Sequence, residues 1–186
     1  MKIVIDIGHP AHVHLFRHFI GEVRQRDHEV LISSADKDIV FQLLKEYNLD
    51  YIKLGSTGQG LMRKVLSVAT LDYALFKAVR DFKPDLLMGH TSIRCTHVAR
   101  WLKAKSLIFA DTEASIKEHM LYAPFADWIA SPDCFERDFG DKHIKYPSYH
   151  ELAYLHPNRF TPNREVLKEV GIGDDQRYFI LRFISW

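Results

Sequence analysis

Four histidines stand close together near the start of the chain: His9, His12, His14 and His18. His9 and His12 lie in the turn Gly8-His9-Pro10-Ala11-His12, which follows a short apolar stretch. An amphipathic run with Leu15, Phe16, Phe19, Ile20 and Val23 comes directly after it. In doubly wound α/β domains such a strand–turn–helix start is where ligands sit, outside the carboxyl ends of parallel strands. Imidazole titrates near neutral pH and can take or give a proton there. The N–H groups of a helix start favour anionic or hydroxyl-bearing ligands. Three readings of the cluster stand side by side. His14 and His18, one helical turn apart, could chelate a metal ion. The rings could cap or solvate the helix start. One could act as a general base while the others, with Gly8 in the turn, bind phosphate or sugar oxygens. The turn offers no thiolate, and its nearest carboxylate, Asp6, lies inside the strand, so no metal is expected.

Two further segments carry suitable groups. Gly89-His90-Thr91-Ser92 follows a fourth apolar strand, and Asp111-Thr112-Glu113 follows a fifth. The first could be a helix N-cap, or could line the same cleft as His12. In the second, either carboxylate could orient an imidazole or bind sugar hydroxyls. The plainer alternative is a cap with a dipole-favoured acid in the helix that follows. The lone Gly8 is far from the GxGxxG dinucleotide fingerprint, so neither NAD nor any other cofactor is expected.

The elements that must position these residues are legible as alternating periods. Strand-length apolar runs cover residues 2–7, 29–33, 51–54, 85–88, 106–110, 128–130 and 143–146. Helical spacing covers 13–26, 37–47, 61–82, 92–102 and 115–122 between them. That alternation predicts an α/β, doubly wound, Rossmann-like and mainly parallel sheet joined by right-handed crossovers. Asp36 is placed to cap the second helix and Thr91 or Ser92 the fourth, while Lys83-Pro84 ends the third. Residues 55–60, rich in glycine, read as a flexible loop. Further on, Pro147, Pro157 and Pro162 punctuate a connecting stretch, a short helix covers 164–170, and 178–184 reads as a strand. The division expected is a domain over 1–155, then a linker and the start of a truncated second domain over 156–186. A second copy could also pair on that terminal strand.

Composition narrows the function class. At 186 residues the chain can bury one sizeable core, and 47% hydrophobic and 26% charged residues are ordinary globular values. A formal net charge of +1 excludes the broad basic field of a nucleic-acid binder. No stretch reaches the 18 or so uninterrupted apolar residues of a membrane span. Cys95 and Cys134 lack metal-knuckle spacing and fit a reducing cytoplasm.

The opening Ile5-Asp6-Ile7-Gly8-His9-Pro10-Ala11-His12-Val13-His14 with Gly21-Glu22-Val23-Arg24-Gln25-Arg26-Asp27-His28-Glu29-Val30 resembles an uncharacterised prokaryotic family catalogued as a domain of unknown function. That family is similar to GT-B glycosyltransferases and UDP-N-acetylglucosamine 2-epimerases. Phe82-Lys83-Pro84-Asp85-Leu86, Phe109-Ala110-Asp111-Thr112-Glu113 and Tyr149-His150-Glu151-Leu152-Ala153-Tyr154-Leu155 support the resemblance, as does the closing 181–186 segment. It implies the acceptor-side half of a two-domain enzyme whose other half holds a nucleotide sugar. It also implies glycosyl transfer to a hydroxyl acceptor with His12 as base, at the position where many inverting members carry a Gly-His-x-x-Pro histidine. Ala11 replaces the usual glycine here. Asp111 or Glu113 would hold the His12 tautomer, and His9, His14 and His90 would bind sugar or phosphate oxygens. Sugar epimerisation in the same cleft and a non-catalytic binding module are the alternatives, and the 186 residues alone are expected to be inactive.

Overall fold

The apolar segment Lys2–Ile7 forms β1 at the centre of a seven-stranded sheet, in a computed structural model that describes every residue except 38, 57–60, 174, 182 and 184–186. Its side chains alternate between faces, as strand geometry requires. Ile3, Ile5 and Ile7 enter one buried cluster and Val4 the other. A strand covered on both sides reads as a continuous hydrophobic run, which is what the sequence shows.

The chain then alternates: α1 (Pro10–Gln25), β2 (Glu29–Asp36), α2 (Val40–Glu46), β3 (Ile52–Ser56), α3 (Leu61–Val79), β4 (Leu86–His90), α4 (Ile93–Leu102), β5 (Lys105–Phe109), α5 (Ile116–Tyr122), β6 (Trp128–Pro132) and β7 (His143–Tyr146). Strand order is β3-β2-β1-β4-β5-β6-β7, with every pairing parallel. The order reverses between β1 and β4, and the tips of those two strands open a crevice. Helices α1 and α2 pack Val13, Phe16, Ile20, Val40 and Leu44 on one face. Leu71, Leu75 and Val79 of α3 and Val98 and Ala99 of α4 cover the other. The Rossmann-like α/β architecture expected from the periodicity is present.

Several boundaries differ from the sequence reading for physical reasons. Helix α1 starts at Pro10, three residues before the apolar run, because proline is pre-set for a first helical turn. Asp36 caps nothing. It ends β2, and α2 begins at Val40 without a side-chain cap. Helix α3 stops at Val79, and a 3-10 turn over Arg80–Phe82 ends on Lys83 in the left-handed region (φ 52°). Of the 55–60 loop, Gly55 and Ser56 belong to β3, while 57–60 lie outside the described residues.

After β7 the chain turns back over the sheet. Helix α6 (Leu152–Leu155) packs against α1, and α7 (Glu165–Glu169) follows. The strand expected over 178–184 is not formed at its described positions, 178–181 and 183. Phe179 and Phe183 are 92% and 91% exposed. Among the described residues no helix is long and apolar enough to cross a membrane.

Candidate functional site

The carboxyl ends of β1, β2 and β4 are tied together by one buried acid. Asp6 shares the face of β1 that carries Val4 and is 1% exposed. Its Oδ1 accepts the Ser33 hydroxyl (3.0 Å) from β2, and its Oδ2 accepts the Ser92 hydroxyl (2.6 Å). Arg94 donates to the same Oδ2 through Nε (3.2 Å) and Nη2 (2.8 Å). Burial works against the charge on Arg94, but the adjacent Asp6 outweighs it and holds the guanidinium above its ordinary range. Ser92 is also the N-cap of α4, accepting the Cys95 N–H at 3.2 Å. Space here is tight. A Cβ on Gly89 would stand 2.9 Å from Ser92 Cβ and 3.0 Å from the Asp6 carbonyl oxygen, so only glycine fits. Next to it Thr91 adopts φ 46°, costly for a β-branched residue, and is held there by its N–H on the Phe109 carbonyl (2.9 Å).

The histidines of the first turn fall into place around this frame. His9 is the N-cap of α1, its ring accepting the Ala11 N–H at 3.2 Å. His12, within the first turn of α1, takes the Gly8 N–H on Nδ1 at 3.3 Å. Its ring lies 4.6 Å, centre to centre, from that of His90 at the end of β4. Burial first, then the neighbouring His90 and His9 rings, push the His12 pKa well below the usual value, with Asp111 opposing weakly, so the ring is uncharged at neutral pH.

Asp111, two residues beyond β5, sits between two other imidazoles. Oδ1 lies 3.0 Å from His90 Nε2, and Oδ2 is 3.1 Å from His150 Nδ1. Thr112 donates its hydroxyl to Oδ1 (2.8 Å). Partial burial opposes ionisation of Asp111, but His150, His90 and Thr112 together hold it far below the carboxylate range. His150 is 8% exposed, stacked on Tyr146 and edge-on to Phe109.

A cavity of about 670 Å³ opens over the β1–β4 reversal. Gly8, His9 and His12 line it from the first turn, His90, Thr91 and Ser92 from the fourth strand, and Thr112 from the fifth. His14 and Glu113 are elsewhere. His14 is two residues from His12, roughly 200° around the helix. It faces the Tyr47 hydroxyl (3.3 Å) and the Tyr154 ring. A turn closed by the Ser115 N–H on the Thr112 carbonyl carries Glu113 over to the Glu136 N–H (3.4 Å). Neither acid lies on His12 as the expected tautomer-holding partner. Gly8 occupies Nδ1, and Asp111 is engaged by His90 and His150. Sequence reasoning missed Asp6, Arg94 and His150. An acid inside an apolar strand was the one usable signal, for Asp6, whereas nothing local marks His150.

Residues 1–185 match the family described as "Protein of unknown function (DUF354)". The chain belongs to this family. This DUF354 chain is 24% identical over 190 residues to the uncharacterised protein MJ0665 of Methanocaldococcus jannaschii, a match covering 98% of the chain and 56% of that protein. It thus spans little more than half of that relative's length. Among solved structures it resembles the UDP-GlcNAc 2-epimerase of Neisseria meningitidis bound to UDP-GlcNAc, with a TM-score of 0.65, 15% identity, and coverage of 92% of this chain and 52% of that one. A further UDP-N-acetylglucosamine 2-epimerase gives 0.68 at 13% identity over 92% and 55%. Acinetobacter baumannii MurG gives 0.61 at 14% identity over 78% and 45%. At such identities the likeness is one of fold: the DUF354 chain has the Rossmann-like fold found in GT-B glycosyltransferases and UDP-GlcNAc 2-epimerases.

Proposed function

We propose that the chain is the acceptor-side half of a GT-B-like enzyme that moves a glycosyl group from a nucleotide sugar to a hydroxyl acceptor, with His12 as the proton acceptor. The observation that carries this reading is the pairing of His12 and His90 from the tips of β1 and β4 on the wall of one cavity. That cavity lies where strand order reverses, the place where open α/β sheets receive their ligands. In this reading residues 156–186 lead into the half that binds the nucleotide sugar, and the enzyme works in the cytoplasm.

A base must be uncharged before it acts, and burial with the His90 and His9 neighbours keeps His12 so. The Gly8 N–H on Nδ1 places the ring proton on Nε2 at rest. To accept the hydroxyl proton at Nε2, the ring proton must first pass to Nδ1 and the 3.3 Å Gly8 contact must break. A hydrogen bond of this kind is worth about 0.5–1.5 kcal/mol. General-base catalysis contributes about 10²–10⁴-fold, or roughly 3–5 kcal/mol. The tautomer change is affordable within that gain. Epimerisation is the second reading, favoured by the epimerases among the fold relatives. Glu113, facing away from the cavity wall, is then unavailable as its acid.

Turnover of the full-length protein with UDP-N-acetylglucosamine and a panel of hydroxyl acceptors tests the assignment. His12→Ala and His12→Gln are both expected to lose about 10² or more, because the glutamine amide donates where Nε2–H does but takes no proton. Wild-type turnover in His12→Gln would reduce His12 to a hydrogen-bond donor. Formation of the manno isomer without any acceptor would replace transfer by epimerisation.

A further inference from the structure

Behind the His12–His90 pair, three side chains of metal-ligand type converge from three parts of the chain. His90 closes β4, Asp111 follows β5, and His150 arrives with the segment that returns over the sheet after β7. One ligand atom of each lies within 4.8 Å of the other two. Both imidazoles turn a nitrogen on the same carboxylate, His90 Nε2 at 3.0 Å and His150 Nδ1 at 3.1 Å. The His90 contact is close but off the line of a hydrogen bond, which leaves that buried nitrogen without a hydrogen-bond partner. A buried polar atom left so costs about 1–3 kcal/mol. Something else at this point should satisfy it.

We propose that His90, Asp111 and His150 bind one divalent transition-metal ion of the zinc class. Ligand atoms held at about 2.0–2.1 Å from a common ion stand roughly 3 Å apart. Here His90 Nε2 is 3.0 Å from Oδ1 and His150 Nδ1 3.1 Å from Oδ2 of Asp111, and a set within 4.8 Å needs only a small contraction to close on an ion. Two imidazole nitrogens with one carboxylate select a first-row transition ion over magnesium or calcium, which prefer all-oxygen shells. The surroundings restrain Asp111 and His150. The Thr112 hydroxyl bonds Asp111 at 2.8 Å, and the His150 ring is kept from swinging by Tyr146 and Phe109. Three protein ligands leave a position free, as in catalytic rather than structural zinc sites. Of the three ligands, His90 also lines the cavity. The site stands independently of the glycosyl-transfer reading, since binding is measured without any sugar.

The test uses protein stripped with a chelator and titrated with Co²⁺ and Zn²⁺ in the presence of excess Mg²⁺. The expected result is one ion per chain, undisturbed by Mg²⁺, with affinity reduced about tenfold or more in His150→Ala and in Asp111→Asn. Wild-type protein alone also decides, whatever the variants do to folding: the Co²⁺ form should show paramagnetically shifted ring N–H signals from two histidines. Absence of uptake at one equivalent would overturn the site and leave a proton-linked trio. Uptake that survives in a folded His150→Ala, or shifted signals from one ring only, would overturn it equally by placing the ion elsewhere.

Discussion

Replacing Asp6 should unfold this protein more readily than any change on its surface, and the structure sets the size of the effect. The carboxylate is 1% exposed and serves Ser33, Ser92 and Arg94, whose own side chain is only 16% exposed. Hydrogen bonds to a charged group are worth about 1.5–3 kcal/mol each, so three partners set an upper bound near 9. Relaxation and water reaching the guanidinium trim that to the roughly 3–5 kcal/mol typical of a broken buried ion pair. Asp6→Asn keeps the shape and an oxygen for Ser33 but strands the Arg94 charge, so it should cost about 3–5 kcal/mol. For a chain of this length that lowers Tm by about 6–20 °C. Arg94→Met should cost a similar amount by stranding Asp6. The double variant should fall at least about 2 kcal/mol short of the sum, because it removes both charges together. Urea unfolding followed by circular dichroism, with unchanged m, gives the cycle directly. A loss under about 1 kcal/mol in Asp6→Asn, or singles that add to within about 0.5 kcal/mol, would refute the claim that this pair ties the strand tips.

Gly8, just after β1, and Gly89, within β4, should respond differently. Gly89→Ala forces a methyl to within 3.0 Å of Ser92 and the Asp6 backbone and should cost about 1–3 kcal/mol by thermal melting. Gly8→Ala meets nothing nearer than Arg94 Nη2 at 3.7 Å and should melt close to wild type. Asp127 supplies a pH test. Burial opposes its charge, yet Lys105 and the N–H and hydroxyl of Ser106 outweigh this and hold it below the carboxylate range. Its folded pKa is the lower one, so its stabilisation is complete above the unfolded value of about 3.9 and disappears as pH falls through the folded value. Asp127→Asn should therefore be less stable than wild type at neutral pH, with the gap closing in acid. A gap independent of pH would refute the assignment.

How much of this could be seen in the amino-acid order follows from the range of each interaction. The short apolar run in Lys2–Ile7 and period 3.6 in the run after it are local features of the sequence, and they specify strand, turn and helix without reference to the rest of the chain. The repetition of that alternation is enough for a parallel sheet with a crevice at the carboxyl ends, and His9, His12, His90 and Thr112 line the cavity there. Whether a given residue faces that cavity is a finer matter of phase. Helix α1 begins at Pro10, which points His12 inward and His14 toward Tyr47 and Tyr154. Pairings across long sequence separations were beyond local pattern altogether. Asp6 meets Arg94 because β1 and β4 are neighbours in the sheet, and Asp111 meets His150 because the chain after β7 folds back onto α1. Strand order and chain return arise from global packing of the two faces, and only the folded molecule supplies them.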